Sequence, residues 1–258
     1  IFGKALGREF SGKGANGILG PSVNVHRVAR NGRNFEYLSG EDPFLGSKLT
    51  ASYVKGVQSQ GIFSVVKHFA FNEQETNRNT ESSNVDEKTA WELYYPPFQA
   101  AVDAGVAAVM CSYNLVNGVH SCSNSNLLNE VLKQRMGFQG FVQSDWWAAH
   151  GLTLMEGLDQ EMPGNHPFST QDFFSIEGLA TQPQDRVDDA ARRILSVIYR
   201  FDLQSTTKCS PSGHEANCSK YLLANVTSPE HRALSRSLAT ESVVLLKNSG
   251  PVLPLDTA

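Results

Sequence analysis

Gly140-Phe141-Val142-Gln143-Ser144-Asp145-Trp146-Trp147 decides how the chain is read. After the glycine, Phe141 and Val142 read as a short apolar strand, which runs straight into a polar triplet ending in a carboxylate beside two indoles. Such an ending makes sense if the C-terminal end of the strand faces a pocket, which is where a parallel α/β barrel places its chemistry. A carboxylate there, next to flat aromatic faces, suits a sugar. It can attack an anomeric carbon while an indole covers the apolar face of a pyranose. The competing reading is local: Asp145 caps a following helix, and Trp146 and Trp147 are core.

Outward from this strand, short apolar runs alternate with helical periodicity. Residues 106–110 are expected as a strand, 111–125 as its loop and 127–136 as a short helix. Residues 62–66 read as a strand closing on Lys67-His68. Before it, residues 45–60 carry Leu45, Leu49, Tyr53 and Val57 at helical spacing and stop at Gly61. A helix over 87–104 should break near Pro96-Pro97, because proline has no N–H to donate. Ile18-Leu19-Gly20-Pro21 reads as a strand end, and residues 25–44, rich in Arg, Asn and Gly, as a loop. The polar stretch 70–86 is long for a loop, which in a compact domain usually signals function. Downstream, residues 186–203 place Val187, Ala190, Ile194, Val197 and Phe201 on one face. Strand, loop and helix recur at roughly 40–45 residues, the pattern of βα units on a parallel sheet. Residues 204–228, rich in Ser, Thr, Pro and Cys, read as a linker. A helix then starts at Pro229, capped by Ser228, and runs to about Glu241. Val243-Val244-Leu245-Leu246 is expected to open a strand of a second domain.

The 258 residues are 40% apolar, ample for a large core, and the length allows one barrel or two domains. Charged residues make up 19%, the net charge is −4, and Lys and Arg are scattered, so neither nucleic acid nor an anionic membrane surface is an expected partner. No apolar run approaches the roughly 20 residues of a spanning helix. The chain opens mid-pattern at Ile1-Phe2-Gly3-Lys4 and reads as a piece of a longer protein. Its four cysteines form two close pairs, Cys111/Cys122 and Cys209/Cys218. Neither pair has the Cys-x2-Cys spacing of a zinc site. Two short-loop disulfides fit better and imply an oxidising compartment, with reduced thiols as the alternative. The sequons at Asn217 and Asn225 point the same way, to a secreted glycoprotein.

Four loops carry polar residues where strands end: Arg33 with Asn34 and Glu36; Lys67-His68; Ser112-Tyr113-Asn114; and Asp145-Trp146. On a parallel barrel they would converge at one rim and offer directional hydrogen bonds to hydroxyls. Cations near Asp145 would lower its pKa and keep it an ionised nucleophile. Each residue has a plainer reading. Arg33 could pair at the surface with Glu36 or Asp42, Lys67 could be a solvated strand end, and His68 a satisfied core histidine. A further alternative is a Schiff-base barrel with Lys67 as nucleophile.

Taken together, Gly32-Arg33-Asn34-Phe35-Glu36, Lys67-His68-Phe69 with Asn72-Glu73-Gln74-Glu75, Met110-Cys111-Ser112-Tyr113-Asn114 and Gly140-Phe141-Val142-Gln143-Ser144-Asp145-Trp146 resemble, in order, glycoside hydrolase family 3, in particular its secreted fungal-type β-glucosidases. Glu241-Ser242-Val243-Val244-Leu245-Leu246-Lys247-Asn248, with Val252-Leu253-Pro254-Leu255, looks like that family's entry into a second, α/β sandwich domain. The resemblance covers essentially the whole chain. It implies a (β/α)8 TIM-type barrel lacking N-terminal strands over residues 1–203, a linker over 204–228 and the truncated start of the sandwich over 229–258. It also implies retaining, exo-acting hydrolysis of terminal β-D-glucosyl residues, as in cellobiose or β-glucan oligosaccharides, with no metal or organic cofactor.

By this resemblance Asp145 is the nucleophile, and Arg33, Lys67 and His68 hold hydroxyls of the non-reducing-end sugar. Arg78 adds a sugar contact, Met110 and Tyr113 line the pocket wall, and Trp146 is the aromatic beside the nucleophile. Cys111 and Cys122 match a disulfide of the fungal branch. The family's sugar-gripping Asp would lie upstream of Ile1 and its acid/base Glu beyond Ala258, and Glu36, Glu73 and Glu75 are not substitutes for the latter. The chain alone is therefore expected to be nearly inactive. Ala70-Phe71-Asn72 after Lys67-His68-Phe69 departs from the N-acetylglucosaminidase branch, and Trp146 favours glucose over xylose. A β-xylosidase and a non-catalytic sugar-binding relative are the alternatives.

Overall fold

The computed structural model describes residues 1–164, 172–205, 218–250 and 252–255. Helix α1 (Phe2–Gly12) leads into strand β1 (Gly17–Ile18), and α2 (Pro43–Gln58) into β2 (Phe63–Phe69). After the short strand β3 (Ser82–Ser83), α3 (Glu87–Thr89) runs through a π-helical stretch, Ala90–Tyr94, into α4 (Pro96–Asp103) and then β4 (Ala108–Cys111). The hairpin β5 (Leu115–Val116) and β6 (Val119–His120) is followed by a second π-helical stretch, Asn126–Arg135, and by β7 (Phe141–Gln143). Helices α5 (Ile176–Leu179), α6 (Gln184–Arg200), α7 (Ser219–Leu222) and α8 (Pro229–Ser242) complete the chain.

The central sheet has the order β1-β2-β4-β7, every pair parallel, as the βα pattern requires. Gln160 bridges Gln143 in parallel and extends the order by one position. Both faces are buried, as parallel sheets demand. Val66, Phe69, Val109 and Val142 pack with Val54, Phe98, Leu128 and Leu132 from the helices, while Val65, Ala108, Met110 and Phe141 pack on the other face with Val197 of α6. Gly140 lets β7 approach so closely that a Cβ would collide with the Ala107 carbonyl. β3 pairs with the β5–β6 hairpin in a separate three-stranded sheet over the 70–86 loop.

The expected helices form with adjusted faces. Asp42 caps α2 by accepting from the Phe44 N–H at 2.8 Å, with Pro43 in the first turn. The helix buries Gly46, Thr50, Val54 and Val57, whereas Leu45 and Leu49 are 47% and 41% exposed. The inward row is displaced because α2 backs onto Ser39 at Gly46, too close for any side chain. The break at Pro96-Pro97 is present, and the turns before it widen, with the Tyr95 N–H donating to Ala90 five residues back. Ala190 and Val197 of α6 are buried on the expected face. Ser228 caps α8 by accepting from the His231 N–H at 3.2 Å, and α8 is tied to α1 through His231 Nδ1 and Glu9 at 2.7 Å.

One expectation is corrected. Val243-Val244-Leu245-Leu246 is not a strand: it has no ladder partner among the described residues, and these side chains are 59–92% exposed. An extended run becomes a strand only where another backbone bonds to it. The central sheet carries four parallel strands among the described residues, with isolated parallel bridges at Ser22–Lys67, Ser22–Tyr37 and Gln143–Gln160, in keeping with the expected partial barrel. The 204–228 stretch, read as a linker, includes the short helix α7 among its described residues.

Cys111 and Cys122 form the expected disulfide, with Cα atoms 5.3 Å apart. Cys218 is buried and joined to no described residue, and its expected partner Cys209 and the sequon residue Asn217 lie outside the described residues. Asn225 is exposed, its side chain accepting from the Thr227 N–H. No helix of the described residues is long and apolar enough to cross a membrane.

Candidate active site

The C-terminal ends of β2, β4 and β7 and the loop after β1 bring their polar residues into one cluster. Asp145, two residues past β7, is 7% exposed. Its Oδ1 accepts from the Tyr113 hydroxyl at 2.9 Å and from the Trp146 N–H at 2.7 Å, and its Oδ2 lies 3.5 Å from His68 Nε2. Arg33 Nη2 approaches the same His68 nitrogen at 3.2 Å. Arginine can only donate, so Nε2 accepts, and the imidazole proton sits on Nδ1, donated to the Tyr37 hydroxyl at 3.0 Å. Arg33 also forms a two-pronged pair with Glu36, at 2.7 and 3.0 Å, and Lys67 Nζ shares Oε1 of that carboxylate at 2.9 Å. Arg78 lies over the Tyr113 ring, 4.0 Å from its centroid, and pairs with Glu75 at 2.7 Å.

Consecutive strand residues point to opposite faces, yet Lys67 and His68 both serve the cluster. The ladder between β2 and β4 shifts register between Val66 and Phe69, and such an irregularity re-aims side chains. Asn24, from the segment after β1, then fixes the backbone of His68 on both sides. Its Oδ1 accepts the His68 N–H at 2.8 Å, and its Nδ2 donates to the His68 carbonyl at 3.1 Å.

Burial raises the Asp145 carboxyl above its ordinary value, and the Trp146 N–H, the Tyr113 hydroxyl, Arg33 and Lys67 offset this only in part. The expected net lowering is therefore overturned: Arg33 and Lys67 do act downward on this carboxyl, but burial outweighs them, and both cations are paired with Glu36. Burial also acts to raise Glu36, but hydrogen bonds from Arg33 and Lys67 overcome it and hold that carboxyl at about 2. Burial, with Arg33 and Lys67 close by, drives the His68 pKa well down and keeps the ring neutral. Burial and the Asp145 charge push the Tyr113 hydroxyl up, so it remains a donor.

The plainer readings fail at most of these positions. Asp145 caps no helix among the described residues, where the next one begins at Ile176. Lys67 is a 14% exposed side chain in an ion pair, not a solvated strand end, and an ammonium held on a carboxylate is a poor Schiff-base nucleophile. Arg33 does pair with Glu36, but facing His68; Asp42 is spent on the α2 cap. Trp146 is partly buried against the cluster that contains Met110 and Phe141, while Trp147 is 48% exposed and takes a left-handed backbone (φ 61°). Met110 is 1% exposed and belongs to the buried cluster on which Trp146 packs, so it supports the wall more than it forms its surface.

Asn24 and Tyr37 join the cluster without having been singled out in the sequence. The one available signal was Asn24's polar side chain in the otherwise apolar run Val23-Asn24-Val25. Among the described residues no group of three or more His, Cys, Asp or Glu could hold a metal ion.

Residues 2–197 match the model of the glycosyl hydrolase family 3 N-terminal domain. A β-glucosidase of Rhizobium radiobacter is 43% identical over 98% of this chain and 30% of its own length, and a probable β-glucosidase M of Emericella nidulans is 43% identical over 98% and 34%. Among solved structures, a β-D-glucoside glucohydrolase from Trichoderma reesei superposes with a TM-score of 0.87 at 35% identity, covering 98% of this chain and 35% of that one. A β-glucosidase from Streptomyces venezuelae in complex with D-glucose gives 0.82 at 37% identity, covering 98% and 33%. The chain thus spans about a third of the length of these relatives. With three-quarters of its residues inside the family match and a parallel sheet presenting Asp145, Arg33 and His68 together, the chain belongs to glycosyl hydrolase family 3, as part of its N-terminal domain.

Proposed function

We propose that the chain supplies the nucleophile half of a retaining exo-β-glucosidase acting on terminal β-D-glucosyl residues. The observation that carries this is the division of labour on Asp145: Oδ1 is held by two donors, while Oδ2 meets only the neutral His68 ring. Oδ2 is the oxygen with a lone pair free to attack the anomeric carbon. The carbon–oxygen bond to the leaving group breaks as the Asp145 ester forms, and water then hydrolyses that ester. Arg33, Lys67 and His68 would hold sugar hydroxyls, with Arg78 and Tyr113 at the wall and Trp146 beneath the ring's apolar face. The glucose held by the Streptomyces venezuelae relative supports a glucosyl substrate.

No acid is assigned to this cluster. Glu36, at about 2, is ionised at any working pH, and Glu75 is tied to Arg78. The proton donor would come from the part of the enzyme beyond the third that this chain spans. The Cys111–Cys122 disulfide supports an oxidising, extracellular workplace, and exposed Asn225 a glycosylated surface. The test is to incubate enzyme of the relatives' full length with a 2-deoxy-2-fluoro glucoside and map the adduct by peptide mass spectrometry. Labelling at Asp145 is expected; an adduct elsewhere, or none alongside active turnover, would refute the assignment.

A further inference from the structure

A second buried carboxylate, Glu73, is tied to the backbone of His68 through Asn24. Glu73 is 7% exposed, and its Oε1 accepts from Asn24 Nδ2 at 3.3 Å, the same amide that donates to the His68 carbonyl. Its Oε2 has no hydrogen-bond partner among the described residues. We propose that Glu73 is a positioning residue for His68, acting through the Asn24 carboxamide while touching neither substrate nor nucleophile. This rests on the glucosidase reading only for its consequence in turnover.

Asn24 is 1% exposed and grips the His68 backbone at both its N–H and its carbonyl, so its rotation sets where the imidazole sits relative to Arg33 and Asp145. The amide has two hydrogens, one for the His68 carbonyl and one for Glu73. A neutral carboxyl accepts weakly and leaves the clamp balanced. An ionised one, buried and short of donors, pulls on the shared amide, because charged acceptors bind about twice as strongly.

Glu73 is a group that makes this change. Burial lifts its carboxyl to about 8, with Asn24 and Arg27 lowering it and Glu81 raising it. Protons can reach it through a cavity of about 420 Å³ that it lines with Arg27, Glu81 and Tyr94. Asp145, Arg33, Lys67 and His68 do not line that cavity. Through Glu73 the site gains an alkaline limit that belongs to no group in contact with the sugar.

The test uses kcat/KM against pH with a dinitrophenyl β-glucoside, whose leaving group needs no acid, so the acid/base carboxyl drops out of the profile. The parent enzyme should lose roughly tenfold per pH unit above about pH 8, and Glu73→Gln, which keeps the acceptor and cannot ionise, should stay within about twofold through pH 9. Glu73→Ala should lose tenfold or more at pH 6, and Glu73→Gln should restore it to within about threefold. In parallel, ring signals of isotopically labelled His68 should move with a midpoint near pH 8 in the parent and be still in Glu73→Gln. His68 does not itself titrate there, so that movement reports Glu73. If Glu73→Gln shows the parental alkaline limb and the parental His68 midpoint, the proposal is overturned. If no glucoside is turned over by the parent, the glucosidase reading fails while the His68 signal still decides the clamp.

Discussion

Two buried aspartates are tied to β7, and they are treated in opposite ways. Asp159, pressed against the middle of the strand, accepts the Val142 N–H at 2.8 Å and is paired with Lys133 at 2.8 Å and Arg186 at 2.6 Å. Asp145, past the strand's C-terminal end, has no cation bonded to it and takes its hydrogen bonds from a hydroxyl and an amide. The nearest cations, Arg33 and Lys67, are engaged by Glu36. A carboxylate saturated with charge is a fastener; one kept buried with neutral donors keeps a reactive lone pair. Which of the two is the site is legible from the chemistry of the partners, since burial alone would not separate them.

Exchanging each aspartate for asparagine tests this contrast. Asp145→Asn in the full-length enzyme should lower kcat with an aryl glucoside by on the order of 10⁴-fold, with the fold intact. Its stability should move the other way. The folded Asp145 carboxyl titrates above the unfolded value of about 3.9, so the ionised group destabilises the parent once pH exceeds the folded value. The variant should therefore melt higher than the parent at neutral pH, and the gap should close as pH falls below about 4. A variant that melts lower at pH 7 would contradict a carboxyl raised by burial.

Asp159→Asn should do the reverse. Lys133 and Arg186, with side chains 7% and 13% exposed, would lose a buried counter-charge. Denaturant titration should show a loss of about 3–5 kcal/mol, with the turnover of the folded fraction unchanged. Replacing Cys111 and Cys122 together by serine removes a brace spanning 11 residues from the end of β4. That should cost about 2–3 kcal/mol, measured the same way. The smallest effect is expected from Tyr113→Phe. It keeps a ring beneath Arg78 but withdraws a donor from Asp145, so the acid limb of kcat/KM should move to higher pH, with a loss of about tenfold at low pH.

The sequence carried the βα order, the helix cap at Ser228, and the four polar strand ends that do meet around His68. These features are written in periodicity and in short local motifs. The direction of the Asp145 pKa shift was not legible, because it depends first on how deeply the carboxyl is buried and then on Glu36 pairing with two cations across a loop, a geometry that spacing does not encode. Asn24 escaped notice for a related reason: its importance lies in bonding to the backbone of a residue 44 positions away. The inward face of α2 was misjudged because Gly46 has no apolar character to count, although its contact with Ser39 orients the helix.

The sharing of Glu36 has a consequence for altering sugar preference. Arg33 spans both oxygens of that carboxylate and Lys67 shares one of them, so a substitution at either cation releases the glutamate toward the survivor. Effects of paired replacements should not add, and a selection scheme that varies these positions one at a time would miss combinations that work only together. Redesign of the hydroxyl contacts proposed for Arg33 and Lys67 is a three-residue problem, with its pivot at a glutamate that carries no role in the chemistry proposed for this site.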